Sequence, residues 1–123
     1  ITIPTALNTQ NLKVFVLDAN GVWLYNAKAN QLEKVSAQNM LPYLAERQDY
    51  ILQAPVHLVY VSSDKTWGFA HAGSAYQNVY LYAAAKGLST VIRGLPNDKK
   101  MAQALNLNAD EFTIAHQPIG YPK

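Results

Sequence analysis

The 123-residue chain contains no cysteine. That excludes disulfides, thiolate metal sites and a cysteine nucleophile. Charge is also scarce: Asp, Glu, Lys and Arg make up 15% of the residues, and the formal net charge is +2. So weak a balance does not point to nucleic acid. Basic residues are scattered, with only Lys99-Lys100 adjacent, whereas a phosphate-tracking protein clusters its cations on one face. The six glycines form no phosphate-cradling loop. There is no His-Glu-x-x-His and no nucleophile elbow. The few carboxylates are dispersed, and no paired general acid and base is apparent. Residues 66–85 lack formal charge over the length of a membrane span, but Gly68, His71, Gly73, Ser74, Gln77 and Asn78 within them argue against one.

Hydrophobic residues make up 50% of the chain, enough for one domain with one core. A small domain with so few charges is expected to cover part of its surface with a partner, which predicts an oligomer. No signal peptide is visible. Any targeting segment would lie before Ile1, so cytoplasm and export to the cell envelope both stay open.

Residues 1–11 read as a loop. Leu12 to Leu17 is rich in β-formers and apolar on both faces, the pattern of a central strand. Asn20-Gly21 suits a type I′ turn, and Val22 to Asn26 returns as the second strand of a hairpin. Residues 26–31 read as a turn region. Ser36 is placed to cap a helix running to about Arg47, with a second short helical piece ending near Gln53. Ala54-Pro55 breaks that helix, and Val56 to Val61 is a strong strand. Residues 70–86 give the clearest helix, apolar nearly all round and therefore expected to be buried on most sides, ending at Gly87 in a left-handed cap. Thr90 to Arg93 reads as a short strand. Asn97 or Asp98 can cap a helix over Lys99 to Leu105. Phe112 to His116 is a final strand. A leading hairpin with later helices predicts an α+β layer fold with an antiparallel-rich sheet. His57 and His116 fall inside apparent strands, where satisfied structural imidazoles are expected rather than metal ligands, and no metal site is predicted.

With no evident protein nucleophile or acid–base pair, an enzymatic role would draw its chemistry from a cofactor. Here the residues resemble a family. Pro4-Thr5-Ala6-Leu7-Asn8-Thr9-Gln10 before a strand is similar to the Pro-Ser-x-x-Asn-x-Gln pattern of the nitroreductase superfamily. Ala54-Pro55 opening a strand, the 73–87 helix with Gln77-Asn78, and Gly120-Tyr121-Pro122 match further motifs in order along nearly the whole chain. Trp23-Leu24-Tyr25 and the Pro122-Lys123 ending resemble the branch that includes SagB-type dehydrogenases.

The resemblance implies a homodimer through the 70–86 helix, with Tyr80 on the interface, and FMN bound between subunits. NADH or NADPH would reduce the FMN, which would pass electrons to a nitro compound, quinone or similar small-molecule acceptor. Thr5, Asn8, Gln10 and Gln48 take the places of polar groups near the isoalloxazine. Arg93-Gly94 takes the place of the segment passing N5, and Lys123 that of a basic group for the phosphate. No catalytic protein nucleophile is implied. The family's N-terminal helical segment, with its Arg-rich phosphate-gripping motif, does not precede Ile1. The chain is therefore expected to be one nitroreductase-like domain over 1–123, truncated at its N-terminus, with a cleaved N-terminal segment as one expected partner. The alternative is a flavin-free dimeric module on the same scaffold that binds a small molecule or a protein.

Overall fold

β-Branched and aromatic residues in the two strands richest in them lead these segments to pair as neighbours. The structure is a computed structural model, and it describes residues 12–45 and 50–122. Strands β1 (Leu12–Asp18), β2 (Gly21–Asn26), β3 (Gln31–Ser36), β4 (Val56–Ser62), β5 (Ser89–Thr90), β6 (Arg93–Gly94) and β7 (Phe112–Gly120) form one seven-stranded sheet. Its order is β3-β2-β1-β4-β7-β5, with β6 also on β7, and every pairing is antiparallel. Helices α1 (Leu41–Ala45), α2 (Tyr50–Gln53), α3 (Gly68–Lys86) and α4 (Lys99–Ala104) flank it. This is the expected α+β fold with an antiparallel-rich sheet.

Strand alternation sends successive side chains into two cores. Phe15, Leu17, Val59 and Val61 pack with Leu41, Leu44, Ile51 and Met101 from the three short helices. Val14, Leu58, Tyr60 and Ile114 pack with Ala72, Ala75 and Val79 of α3.

Helix α3 starts before the expected Ala70. Asp64 accepts backbone N–H bonds from Thr66 and Trp67, each 2.9 Å, so the first turn forms early. Gly68 fits there because a Cβ would lie 2.7 Å from Ser62 Oγ. At the other end Gly87 takes φ 70°, and the Gly87 and Leu88 N–H groups donate to the Ala84 and Ala83 carbonyls, the left-handed cap expected. Gly68, Ala72, Ala75, Val79 and Ala83 form the buried stripe. Small side chains let the helix approach the sheet closely. Outside this stripe Phe69, Leu81 and Tyr82 are 57%, 61% and 50% exposed in the single chain, with Leu81 opposite the stripe and the other two on its flanks. The Tyr80 hydroxyl accepts the Ile92 N–H at 2.7 Å, tying α3 to the segment between β5 and β6.

Several local expectations are corrected. Residues 31–36 form strand β3, and Ser36 caps no helix; its Oγ accepts the Gln38 N–H at 2.9 Å. Asn39 Oδ1 accepts the Leu41 N–H at 3.0 Å where α1 begins. The β1–β2 turn is not type I′, because Asn30, Asn97 and Asn106 are the only described non-glycine residues with positive φ. Instead Asp18 Oδ1 accepts the Asn20 N–H at 2.7 Å. Gly21 takes φ +152°, and a Cβ there would collide with the Ser36 carbonyl. The expected Thr90–Arg93 strand divides into β5 and β6, and β7 runs on to Gly120. Asp98 does cap α4, accepting the Met101 N–H at 2.9 Å, and it also accepts the Tyr43 hydroxyl at 2.6 Å.

Candidate functional site

Arg93 opens β6 opposite His116 of β7. Its half-buried guanidinium uses one nitrogen, Nη1, to donate to the Leu44 carbonyl at 3.1 Å and to His116 Nδ1 at 3.2 Å. Leu44 lies in the last turn of α1, where carbonyls lack intrahelical donors, so Arg93 also caps that helix. His116 Nε2 lies 2.9 Å from His57 Nδ1. His57 Nε2 lies 2.9 Å from the carbonyl of Ala54, just past α2.

Chemistry fixes the direction of these bonds. A carbonyl only accepts, so His57 Nε2 carries a proton. A guanidinium only donates, so His116 Nδ1 carries none. The inner bond therefore runs from His116 Nε2–H to His57 Nδ1. Both rings are neutral, and every bond points from Arg93 through His116 and His57 to Ala54. Electrostatics agree with the geometry. Burial lowers the His57 pKa, and Arg93 lowers it further against the raising effect of the Ala54 hydrogen bond. Burial, then His57 and Arg93, push His116 down to about 3.

The two histidines are satisfied structural imidazoles, as expected. Their link to Arg93 was not visible in the sequence. It joins residues separated by 23 and 59 positions, and the available signal was only that these three polar side chains fall in or beside apolar runs. Gly94 follows Arg93 and is exposed; among the described residues a Cβ there would touch only Pro96 Cδ, at 3.8 Å. Of the sequence-predicted site residues, the structure thus brings Arg93 and Gly94 together on β6. Thr5, Asn8, Gln10, Gln48 and Lys123 lie outside the described residues.

Among the described residues no carboxylate pairs with Arg93, and its Nε and Nη2 carry no hydrogen bond. Two spare donor nitrogens beside a strand position with no side chain fit the acceptor-bearing edge of a planar ligand such as a flavin. No group of His, Asp or Glu suited to a metal ion occurs among the described residues.

The opposite face of the sheet carries a cavity of about 310 Å³ beside α3, lined by Val14, Val16, Leu58 and Val79, with Tyr25 and Asn30 among its polar groups. The Tyr25 hydroxyl donates to Asn30 Oδ1 at 3.0 Å.

Comparison with known proteins places this architecture. The model of the nitroreductase family matches residues 1–121. The chain belongs to the nitroreductase family. It is similar to a nitroreductase-like protein of Ralstonia eutropha JMP134, with 30% identity over 99% of this chain and 63% of that one, and a TM-score of 0.85. The chain thus spans somewhat less than two-thirds of that relative's length. Its fold is also similar to a chain of the Escherichia coli microcin synthetase McbBCD complex, at 18% identity, 98% and 55% coverage and a TM-score of 0.78. An FMN-dependent nitroreductase of Clostridium difficile R20291 shares the fold at 16% identity, 99% and 69% coverage and a TM-score of 0.70. No curated protein matches. Among the described residues no helix is long and apolar enough to cross a membrane.

Proposed function

We propose that this chain is the flavin-binding part of an FMN-dependent oxidoreductase of the nitroreductase type. The observation that carries this reading is Arg93: within a nitroreductase-family fold, its guanidinium is anchored by one nitrogen and keeps two donors unpaired among the described residues. When bound, FMN supplies the redox chemistry, taking hydride from NADH or NADPH and passing electrons to a nitro compound, quinone or similar acceptor. The chain's own residues bind and orient. Arg93 presents a fixed positive charge, which favours negative charge on a ring held against it. Gly94 lets the ring approach β6 without meeting a side chain. Thr5, Asn8, Gln10 and Gln48 complete the polar contacts to the ring, and Lys123 holds the phosphate. The likeness of the Trp23-Leu24-Tyr25 hairpin and the Pro122-Lys123 ending supports placing it in the SagB-type branch.

The same reading includes a homodimer through α3. Leu81 and Tyr82, both exposed in the single chain, are large apolar groups that a second copy would cover. The test is an absorbance scan of the purified protein followed by titration with FMN. A flavin band, or saturable uptake near one FMN per chain, together with flavin-dependent NADH or NADPH oxidation, is the expected result. No flavin and no uptake would remove the enzyme reading for this chain. The flavin-free binding module would then lead, supported by the cavity of about 310 Å³ beside α3.

A further inference from the structure

Resting on the flavin reading above, we infer that His116 is a positioning residue for Arg93: its bare Nδ1 holds the guanidinium in place, and His57 with the Ala54 carbonyl fixes which nitrogen faces Arg93.

A free neutral imidazole has two tautomers, and only one leaves Nδ1 able to accept. In the other, an N–H would face the guanidinium, donor against donor. Arg93 favours a bare Nδ1 at one end of the chain of bonds, and the Ala54 carbonyl enforces the same tautomer from the far end. The Ala54 carbonyl accepts from His57 Nε2 at 2.9 Å, which leaves His57 Nδ1 bare. That bare nitrogen, 2.9 Å from His116 Nε2, takes the His116 proton and leaves His116 Nδ1 free for Arg93 at 3.2 Å. Both rings are at most 1% exposed, so water does not compete for these sites. The anchor is shared between two short helices: Arg93 ends on Leu44 of α1, and His57 ends on Ala54 beyond α2. A displaced guanidinium would therefore lose a helix cap as well as a ring contact. The arrangement aims one face of Arg93 inward at fixed partners and leaves its Nε and Nη2 donors for a ligand.

Two substitutions separate the halves of this device. In His116→Asn, the side-chain oxygen occupies the place of Nδ1 and can still accept from Arg93, while the bond to His57 is lost. In His116→Gln, the amide nitrogen occupies the place of Nε2 and can still donate to His57, while Arg93 loses its acceptor. Each variant removes one buried bond, so stability alone does not tell them apart. Two readouts do. By ¹⁵N NMR of the protein, hydrogen exchange of the Arg93 guanidinium is expected to be about tenfold faster in His116→Gln than in wild type, the scale of one lost charge-assisted bond, and close to wild type in His116→Asn. In the FMN-loaded protein, His116→Gln is expected to lower the flavin midpoint potential, and His116→Asn to leave it near wild type.

Equal exchange in the two variants would overturn the inference. Faster exchange in His116→Gln with an unchanged potential would reduce the device to a helix cap and overturn its role at the cofactor. If wild type takes up no FMN, the flavin reading falls separately, and the exchange comparison still decides whether His116 holds Arg93.

Discussion

The Tyr60 hydroxyl donates to Gln117 Oε1 at 2.6 Å, between neighbouring strands β4 and β7 and with both side chains buried. Gln117 in turn donates through Nε2 to the Tyr76 carbonyl of α3 at 3.3 Å. One side chain thus joins the sheet to its long helix. Burial pushes the Tyr60 phenol well above its ordinary range, which keeps it a donor. Tyr60→Phe leaves Gln117 Oε1 buried without its donor, and the expected loss is about 1–3 kcal/mol. Urea unfolding of both proteins measures it; an unchanged midpoint would show that the bond carries no net stability.

Gly68 and Ser62 define the closest approach of α3 to the sheet. A Cβ at 68 would lie 2.7 Å from Ser62 Oγ and 2.9 Å from Ser62 Cβ. Ser62 is itself fully buried and has little room to yield. Gly68→Ala is therefore expected to destabilise by about 1–3 kcal/mol through overpacking, although alanine is the better helix former. Gly68→Ala combined with Ser62→Gly should recover part of the loss. A stabilised single variant would mean the contact relaxes freely.

The paired histidines give stability a defined dependence on pH. His116 is held near 3 in the folded chain and returns to about 6.5 on unfolding; His57 is lowered in the same sense. Between those values the unfolded chain binds protons that the folded chain refuses. Stability contributed by the neutral pair is thus complete above about pH 6.5 and falls as acid is added, by up to about 1.4 kcal/mol per pH unit for each ring. The charged and titratable neighbours of His116 are His57 and Arg93, and neither rescues a protonated ring. Denaturant unfolding at pH 7 and pH 5 should show the drop, and His116→Asn should make it shallower. Equal slopes in both proteins would dissociate the pair from acid sensitivity.

Leu81 and Tyr82 test the proposed dimer. Leu81 is 61% exposed in the single chain, so Leu81→Asp should change the stability of an isolated chain by no more than about 0.5 kcal/mol. If α3 forms the dimer interface, the same change buries a charge and the protein should run as a monomer by light scattering. A dimer of unchanged mass would move the interface elsewhere.

Strands β1 and β4, helix α3 with its Gly87 end, and the Asp98 cap were all legible, because each declares itself within a few neighbouring residues. Strand β3 was not. Gln31-Leu32-Glu33-Lys34-Val35-Ser36 is an edge strand with its first four residues exposed; it lacks an apolar alternation and exists through its pairing with β2. The Asn20-Gly21 pair suggested the wrong turn because Gly21 answers to Ser36, a contact made only once β3 is in place. Strand β7 was cut short at His116 because Gln117-Pro118 reads as a breaker, yet both residues are buried in the sheet. At the site, Arg93 and Gly94 stood out through likeness to a family. That His116 and His57 belong with Arg93 depends on β4, β6 and β7 meeting, which no local pattern states.

The position of β7 has a consequence for how the chain reaches this structure. It comes after every other strand in chain order, yet it lies between β4 and the β5 and β6 segments. Until β7 has been synthesised, β4 presents an unpaired edge, and Leu58, Tyr60 and the small-residue stripe of α3 lack part of their cover. A ribosome-bound chain lacking this segment cannot close the core beneath α3, which takes Ile114 and Ala115 from β7. Contacts of long sequence separation must then form in one late step, which predicts slow folding for a domain of this size and dependence on chaperones that shield open strand edges.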